Sequence, residues 1–215
     1  MNIDELKSVA QAIVGKQKGV LAADESSPTI KKRFDSIGVE STEENRRRYR
    51  EILLTTEGLE QHVGGVILFD ETLRQSTRDG VPFAQVLAAR GVVPGIKVDK
   101  GASKMAGFPG ETVTKGLDGL SKRLRSYYEQ GARFAKWRAV IDIADGIPTW
   151  GCIKSNAHAL ARYAALCQEN GLVPRLRFVN KGQAWVVRKI EELLPAITDA
   201  YARAMLEEMR RSHLA

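Results

Sequence analysis

Short apolar runs recur along this chain with amphipathic stretches between them, and that alternation restricts the fold more than any other feature. The runs are Gly19–Ala23, Gly65–Phe69, Val92–Val98 and Ala132–Trp137, with a fifth at Leu172–Val179. Most are continuous rather than alternating with period two, the pattern of parallel strands covered on both faces. The stretches between them carry helix signals. Ser41-Thr42-Glu43-Glu44 reads as a capping box opening a helix to about Thr55. Leu117–Gln130 places Leu117, Leu120, Leu124 and Tyr127/Tyr128 at helical spacing and stops at Gly131, and Ser155–Asn170 stops at Gly171. Such an order predicts βαβ units in a parallel sheet. No glycine-rich turn follows the first run, so an α/β barrel is expected rather than an open doubly wound sheet.

Beyond Gly171 the character changes. Arg175 and Arg177 stand where a buried strand should be apolar. From Ala184 the pattern is helical, with Val187, Ile190, Leu194, Ile197, Tyr201, Met205 and Met209 in one stripe that Pro195 interrupts. The expected organisation is a partial barrel over residues 1–174 and a helical tail over 175–215 packing on it. The stripe reads first as an ordinary core helix. Its other reading is a cover for an exposed barrel edge, within the chain or in a homo-oligomer.

Composition narrows the partners. The chain has 215 residues, 43% hydrophobic, enough for one sizeable core. No apolar run is long enough to span a bilayer, and Met1-Asn2-Ile3-Asp4-Glu5 lacks the order of a signal peptide, so a cytoplasmic protein without a membrane partner is expected. Cys152 and Cys167 are the only cysteines, expected as free thiols, and His62, His158 and His213 lie too far from them in sequence for a zinc cluster. The net charge of +7 points to anionic partners. Arg46, Arg47 and Arg48 alternate with Glu43, Glu44 and Glu51 as on a solvated helix face. No stripe of aromatics accompanies the basic residues, so phosphorylated metabolites are expected and nucleic acid is not.

Polar residues at the ends of buried strands carry the sharpest functional signal, because the C-terminal strand ends of an α/β barrel line its active site. Asp24 closes the first run, and Lys97 and Asp99 close the third with Lys100 just beyond. Lys136 and Arg138 alternate around Trp137, which directs both to one face of their strand. A lysine there must be paired or face a wet cavity. The structural reading is an ion pair of Asp24 with Lys97 or Lys136. Taken together, however, these groups suit a site for a phosphorylated anion with acid–base chemistry, and crowded cations favour an amine nucleophile.

Six motifs occur in order: Leu21-Ala22-Ala23-Asp24-Glu25-Ser26, Thr42-Glu43-Glu44-Asn45-Arg46-Arg47, Gly64-Gly65-Val66-Ile67-Leu68-Phe69, Gly95-Ile96-Lys97-Val98-Asp99-Lys100-Gly101, Gly116-Leu117-Asp118-Gly119-Leu120 and Phe134-Ala135-Lys136-Trp137-Arg138. Across about residues 3–174 the chain closely resembles class I fructose-bisphosphate aldolase. The resemblance implies a TIM-type (β/α) barrel, incomplete here with four or five parallel strands. It also implies reversible cleavage of fructose 1,6-bisphosphate to dihydroxyacetone phosphate and glyceraldehyde 3-phosphate in glycolysis, without a metal or other cofactor. Asp24 matches the family's active-site aspartate, and Lys97 and Lys136 match its active-site lysines. Arg138, Arg33 and Arg46 match phosphate-binding arginines, and Ser26 matches a hydroxyl in the same loop.

Two departures bear on activity. Ser27-Pro28-Thr29 replaces the usual Thr-Gly-Ser, and Leu176-Arg177-Phe178-Val179 stands where the family has Val-Glu-Pro-Glu with its proton-transferring glutamate. The strand bearing the Schiff-base lysine has no counterpart, and neither Lys181 nor Lys189 has its context. The expectation is an aldolase-family chain with little cleavage of its own. The alternative is a non-catalytic domain that binds sugar phosphates or associates with another chain.

Overall fold

The structure is a computed structural model that describes residues 2–15 and 18–180, the side chains of 176–180 excepted. Helix α1 (Ile3–Ile13) leads into strand β1 (Gly19–Ala23), followed by α2 (Ser27–Asp35), α3 (Glu43–Thr55) and the short α4 (Leu59–His62). Strand β2 (Val63–Leu68), helices α5 (Asp70–Arg74) and α6 (Phe83–Ala89), and strand β3 (Val93–Lys97) come next. A hairpin of β4 (Ala102–Lys104) and β5 (Thr112–Thr114) precedes α7 (Leu120–Glu129), β6 (Phe134–Ile141), α8 (Trp150–Glu169) and β7 (Val173–Asn180).

Five strands form one sheet in the order β1-β2-β3-β6-β7, as the resemblance to an α/β barrel implied. Strands β1 and β2 are parallel with Ala23 opposite Leu68, and β2 and β3 are parallel with Leu68 opposite Ile96. Arg133 N donates to Pro94 O and Val98 N to Lys136 O, a parallel step between β3 and β6. By contacts the chain divides into two compact units. Among the described residues, one holds 2–15, 18–97, 123–135 and 170–173; the other holds 98–122, 136–169 and 174–180.

In the first unit, Ile13, Ile67 and Phe134 form a core cluster, with Val9, Val20, Val93 and Val173 packed on it. Glycine makes the close approach of α1 possible, since a Cβ on Gly64 would collide with the Ile13 carbonyl. In the second unit the β4–β5 hairpin lies along β6 through side-chain hydroxyls. Thr112 Oγ1 donates to Val140 O at 2.7 Å and Thr114 Oγ1 to Arg138 O at 2.8 Å. Trp137 packs on Tyr163 with ring centroids 5.3 Å apart.

Several boundaries differ from the sequence expectation for identifiable reasons. Thr42, not Ser41, caps α3, accepting from Asn45 N at 3.1 Å. Helix α8 begins at Trp150, five residues before Ser155, because the buried Glu111 accepts from Thr149 N and Oγ1, both at 2.6 Å, and so organises the turn before the helix. Helix α7 begins at Leu120 because Gly116 and Gly119 hold left-handed conformations, with φ of 133° and 64°. Strand β6 runs on to Ile141, supported by the hairpin hydroxyls. Strand β7 covers Val173–Asn180, and the apolar stripe from Val187 to Met209 lies outside the described residues. No helix among the described residues is long and apolar enough to cross a membrane.

Candidate anion-binding site

Asp24 and Lys97 come to one edge of the sheet. Each follows a residue of the same register row, Ala23 on β1 and Ile96 on β3, with Leu68 of β2 between them. Both strands run the same way, so both residues lie at the C-terminal edge of the sheet, with backbones two strand spacings or about 10 Å apart across it. Asp24 and Lys97 are half-buried and each engages a neighbour. Ser26, three residues past β1, is the N-cap of α2: its carbonyl accepts from Thr29 N and Ile30 N at 2.8 and 3.0 Å. Its hydroxyl pairs with Thr29 Oγ1 at 3.2 Å and so makes no bond to the helix amides. The first turn of α2 carries no acidic residue, but Pro28 has no N–H and Thr29 N and Ile30 N are taken by Ser26 O, so Ser27 N is the one backbone donor this turn can offer an anion.

Arg33 and Arg46, the phosphate-binding arginines by resemblance, are each held by a carboxylate. Arg33 Nη1 donates to Glu25 Oε1 at 2.5 Å and to the Tyr49 hydroxyl at 2.7 Å. The charge of Glu25, then Tyr49, raises its pKa. Arg46 forks onto Glu71, with Nε and Nη2 donating at 2.8 and 2.7 Å, and Nη1 reaches Ser41 O at 2.6 Å. This geometry corrects the reading of Arg46–Arg48 as a solvated face. Arg46 and Arg47 are half-buried, Arg47 Nη1 also reaches Ser76 O at 3.3 Å, and only Arg48 is exposed. The packing of α3 against neighbouring elements is what converts a charge-alternating helix into a set of cross-links.

The second unit holds Lys136 and Arg138. Lys136 is only 5% exposed, on a strand buried almost throughout, and it engages a neighbour. Arg138 is half-buried, and Asp99, buried, accepts from Gly101 N at 3.2 Å. The expected residues are thus shared between units, Asp24, Ser26, Arg33, Arg46 and Lys97 in one and Lys136 and Arg138 in the other.

Glu25 and Arg50 were not singled out by sequence reasoning. Arg50 is 1% exposed and donates from Nη1 to Glu25 Oε2 and from Nη2 to the Glu25 carbonyl at 2.8 Å. The signal available was its spacing: Arg50 lies four residues before Leu54, which puts it on the buried stripe of α3, where an arginine requires a buried acceptor. Burial alone would raise the Glu25 carboxyl, but the Arg50 hydrogen bond and the charges of Arg50 and Arg33 outweigh it and hold the group below its ordinary range. Cys152 and Cys167 are free and buried. Among the described residues no group of three or more His, Cys, Asp or Glu could hold a metal ion.

Residues 5–179 match the family model described as fructose-bisphosphate aldolase class-I. A protein of Xanthomonas campestris pv. campestris, named "Probable fructose-bisphosphate aldolase class 1", is 64% identical over 174 residues, 81% of this chain and 52% of that relative. Fructose-bisphosphate aldolase 1 of Toxoplasma gondii is 58% identical over 172 residues, 79% of this chain and 47% of that relative. The chain therefore spans about half the length of the curated relatives it matches. A solved fructose-bisphosphate aldolase from Plasmodium falciparum, in complex with TRAP and a small-molecule inhibitor, superposes with a TM-score of 0.91 at 44% identity, over 95% of this chain and 60% of that one.

Proposed function

Because the chain belongs to the class I fructose-bisphosphate aldolase family, we propose that it binds phosphorylated sugars at the C-terminal edge of its sheet, as part of the reversible cleavage of fructose 1,6-bisphosphate in the cytoplasm. The observation that carries this reading is the common row of Asp24 and Lys97, with Ser26, the N-cap of α2, in the loop that follows Asp24. A cation, a helix N-terminus and a carboxylate at one edge suit a phosphate ester whose carbon chain must exchange protons.

In the proposed roles, taken residue by residue from the resemblance, Lys97 in the first unit and Lys136 and Arg138 in the second bind phosphate, and Ser26 and the Ser27 amide add neutral donors. Arg33 and Arg46 contribute only by exchanging a carboxylate for phosphate. Asp24 acts on protons and on the charge state of a neighbouring amine. Class I chemistry needs an amine that condenses with the substrate ketone, releasing water, so that the iminium accepts the electron pair when the C3–C4 bond breaks. The resemblance assigns no such lysine within these residues, so the chain alone is expected to bind triose phosphate and to sustain little cleavage. Lys136, on the fourth strand of the sheet order, is the alternative amine, because the similar transaldolase barrel places its Schiff-base lysine on a fourth strand.

Calorimetric titration with dihydroxyacetone phosphate, followed by borohydride reduction and mass mapping, tests both parts. Binding that weakens with salt and in Lys136→Ala, with no reduced adduct, is the expected result. Affinity unchanged in Lys136→Ala would sink the anion-site reading. An adduct on Lys136 would make the fourth-strand amine the nucleophile. A second reading, association with another chain, is favoured by β1, which ends the sheet order and leaves Gly19 and Ala22 exposed.

A further inference from the structure

Glu25 lies between Asp24 and Ser26, and one buried arginine grips both its side chain and its main chain. Arg50 Nη1 donates to Glu25 Oε2 while Arg50 Nη2 donates to the Glu25 carbonyl at 2.8 Å. The other carboxylate oxygen takes Arg33 Nη1 at 2.5 Å, so Glu25 is shared by a buried and an exposed guanidinium. The aromatic ring of Tyr49 completes the support, 5.5 Å from the Arg50 guanidinium carbon and edge-on to Phe34 at 5.7 Å. All of these residues belong to one compact unit.

This arrangement is poorly explained by stability alone. An apolar side chain of similar volume commonly serves a buried position as well as an ion pair does, and Arg50 Nε is left buried without a protein partner. What an apolar residue lacks is a hold on the peptide plane. In a trans peptide the Glu25 carbonyl and the Ser26 N–H point in opposite directions, so fixing the carbonyl fixes where the Ser26 amide points. The same hold sets the start of α2 and the position of Asp24 one residue before.

We propose that Arg50, acting through Glu25, is a positioning residue that fixes the Asp24–Ser26 loop in its ligand-binding geometry. The proposal rests on the anion-site reading above, and the test separates the two. Hydrogen exchange of the amides of residues 24–27 and calorimetry with dihydroxyacetone phosphate are measured on the unaltered chain, on Arg50→Met and on Arg50→Lys, each at matched fraction folded. In Arg50→Met, exchange is expected to quicken and affinity to weaken, each by roughly tenfold, the size of one lost charge-assisted hydrogen bond. In Arg50→Lys, which keeps the charge but cannot fork, an intermediate loss is expected. If Arg50→Met does not fold, Arg50→Lys decides, and unaltered exchange and affinity there overturn the proposal. Faster exchange with unaltered affinity also overturns it, since Arg50 would then serve the loop but not the ligand. If the unaltered chain binds no triose phosphate, the anion-site reading fails, and exchange alone decides whether Arg50 fixes the loop.

Discussion

Gly95 on β3 packs against the ring of Phe134 on β6, so close that a Cβ at Gly95 would collide with the ring's Cζ, Cε1 and Cε2 atoms. Gly65 on β2 meets the same ring, with its would-be Cβ 3.1 Å from Cε1. One aromatic side chain therefore fills the space that two glycines vacate on adjacent strands, and Lys97 leaves the sheet two residues beyond Gly95.

Gly95→Ala is accordingly expected to destabilise the fold by about 2 kcal/mol through overpacking. The double variant with Phe134→Leu should be less destabilised than the sum of the two single changes, because the smaller side chain makes room. Urea denaturation of the four species measures the coupling, and strict additivity would show that the ring moves freely.

Arg46 and Glu71 form a forked pair with side chains 15% and 24% exposed. Arg46→Met is expected to lower stability by about 1–3 kcal/mol, because Glu71 keeps its desolvation and loses its charged donor. The change should appear as a lower urea midpoint with an unchanged slope. A ligand effect of this variant has to be read at matched stability.

Glu25 has its carboxyl held below the ordinary value of 4.5, despite burial, by Arg50 and Arg33. A depressed acid stabilises the fold fully above its unfolded pKa and loses that contribution as pH falls through its folded pKa. Stability should therefore fall from about pH 5 downward, and Glu25→Gln should flatten that slope while lowering stability at pH 7. Thermal midpoints from pH 7 to pH 3 check this, and an unchanged acid slope in the variant would count against the pairing.

Cys152 is buried, and burial followed by the nearby charge of Glu111 pushes its thiol up to about 11. Burial also pushes Cys167 up. Since the thiolate is the reactive form, neither should react with a thiol reagent at pH 7.5 in the native state, and both should react once the chain is unfolded. Rapid native labelling at either position would contradict the packing around α8.

Much of the local structure was legible because it follows from periodicity and from a few terminating residues. The run Gly19–Ala23 coincides with β1, and Gly131 and Gly171 end their helices with φ of 98° and 77°. The β4–β5 hairpin was not legible, since three-residue strands such as Thr112–Thr114 are too short to show a period. The candidate residues Asp24, Lys97 and Lys136 stood out because a charge in an apolar run is conspicuous on its own, but only Asp24 and Lys97 lie at strand ends, since β6 continues five residues beyond Lys136 to Ile141.

What tertiary structure alone decided is which charge meets which. Glu25 and Arg50 are 25 positions apart, as are Arg46 and Glu71, and nothing in either segment names its partner. Backbone conformation is set largely by interactions within a few residues, so the longer strands and helices follow from the local order of residues, whereas the start of α8 waits on the distant Glu111. Ion pairing falls off with distance through space and depends on burial, so it was determined only when packing brought α3 against the β1–α2 loop and α5.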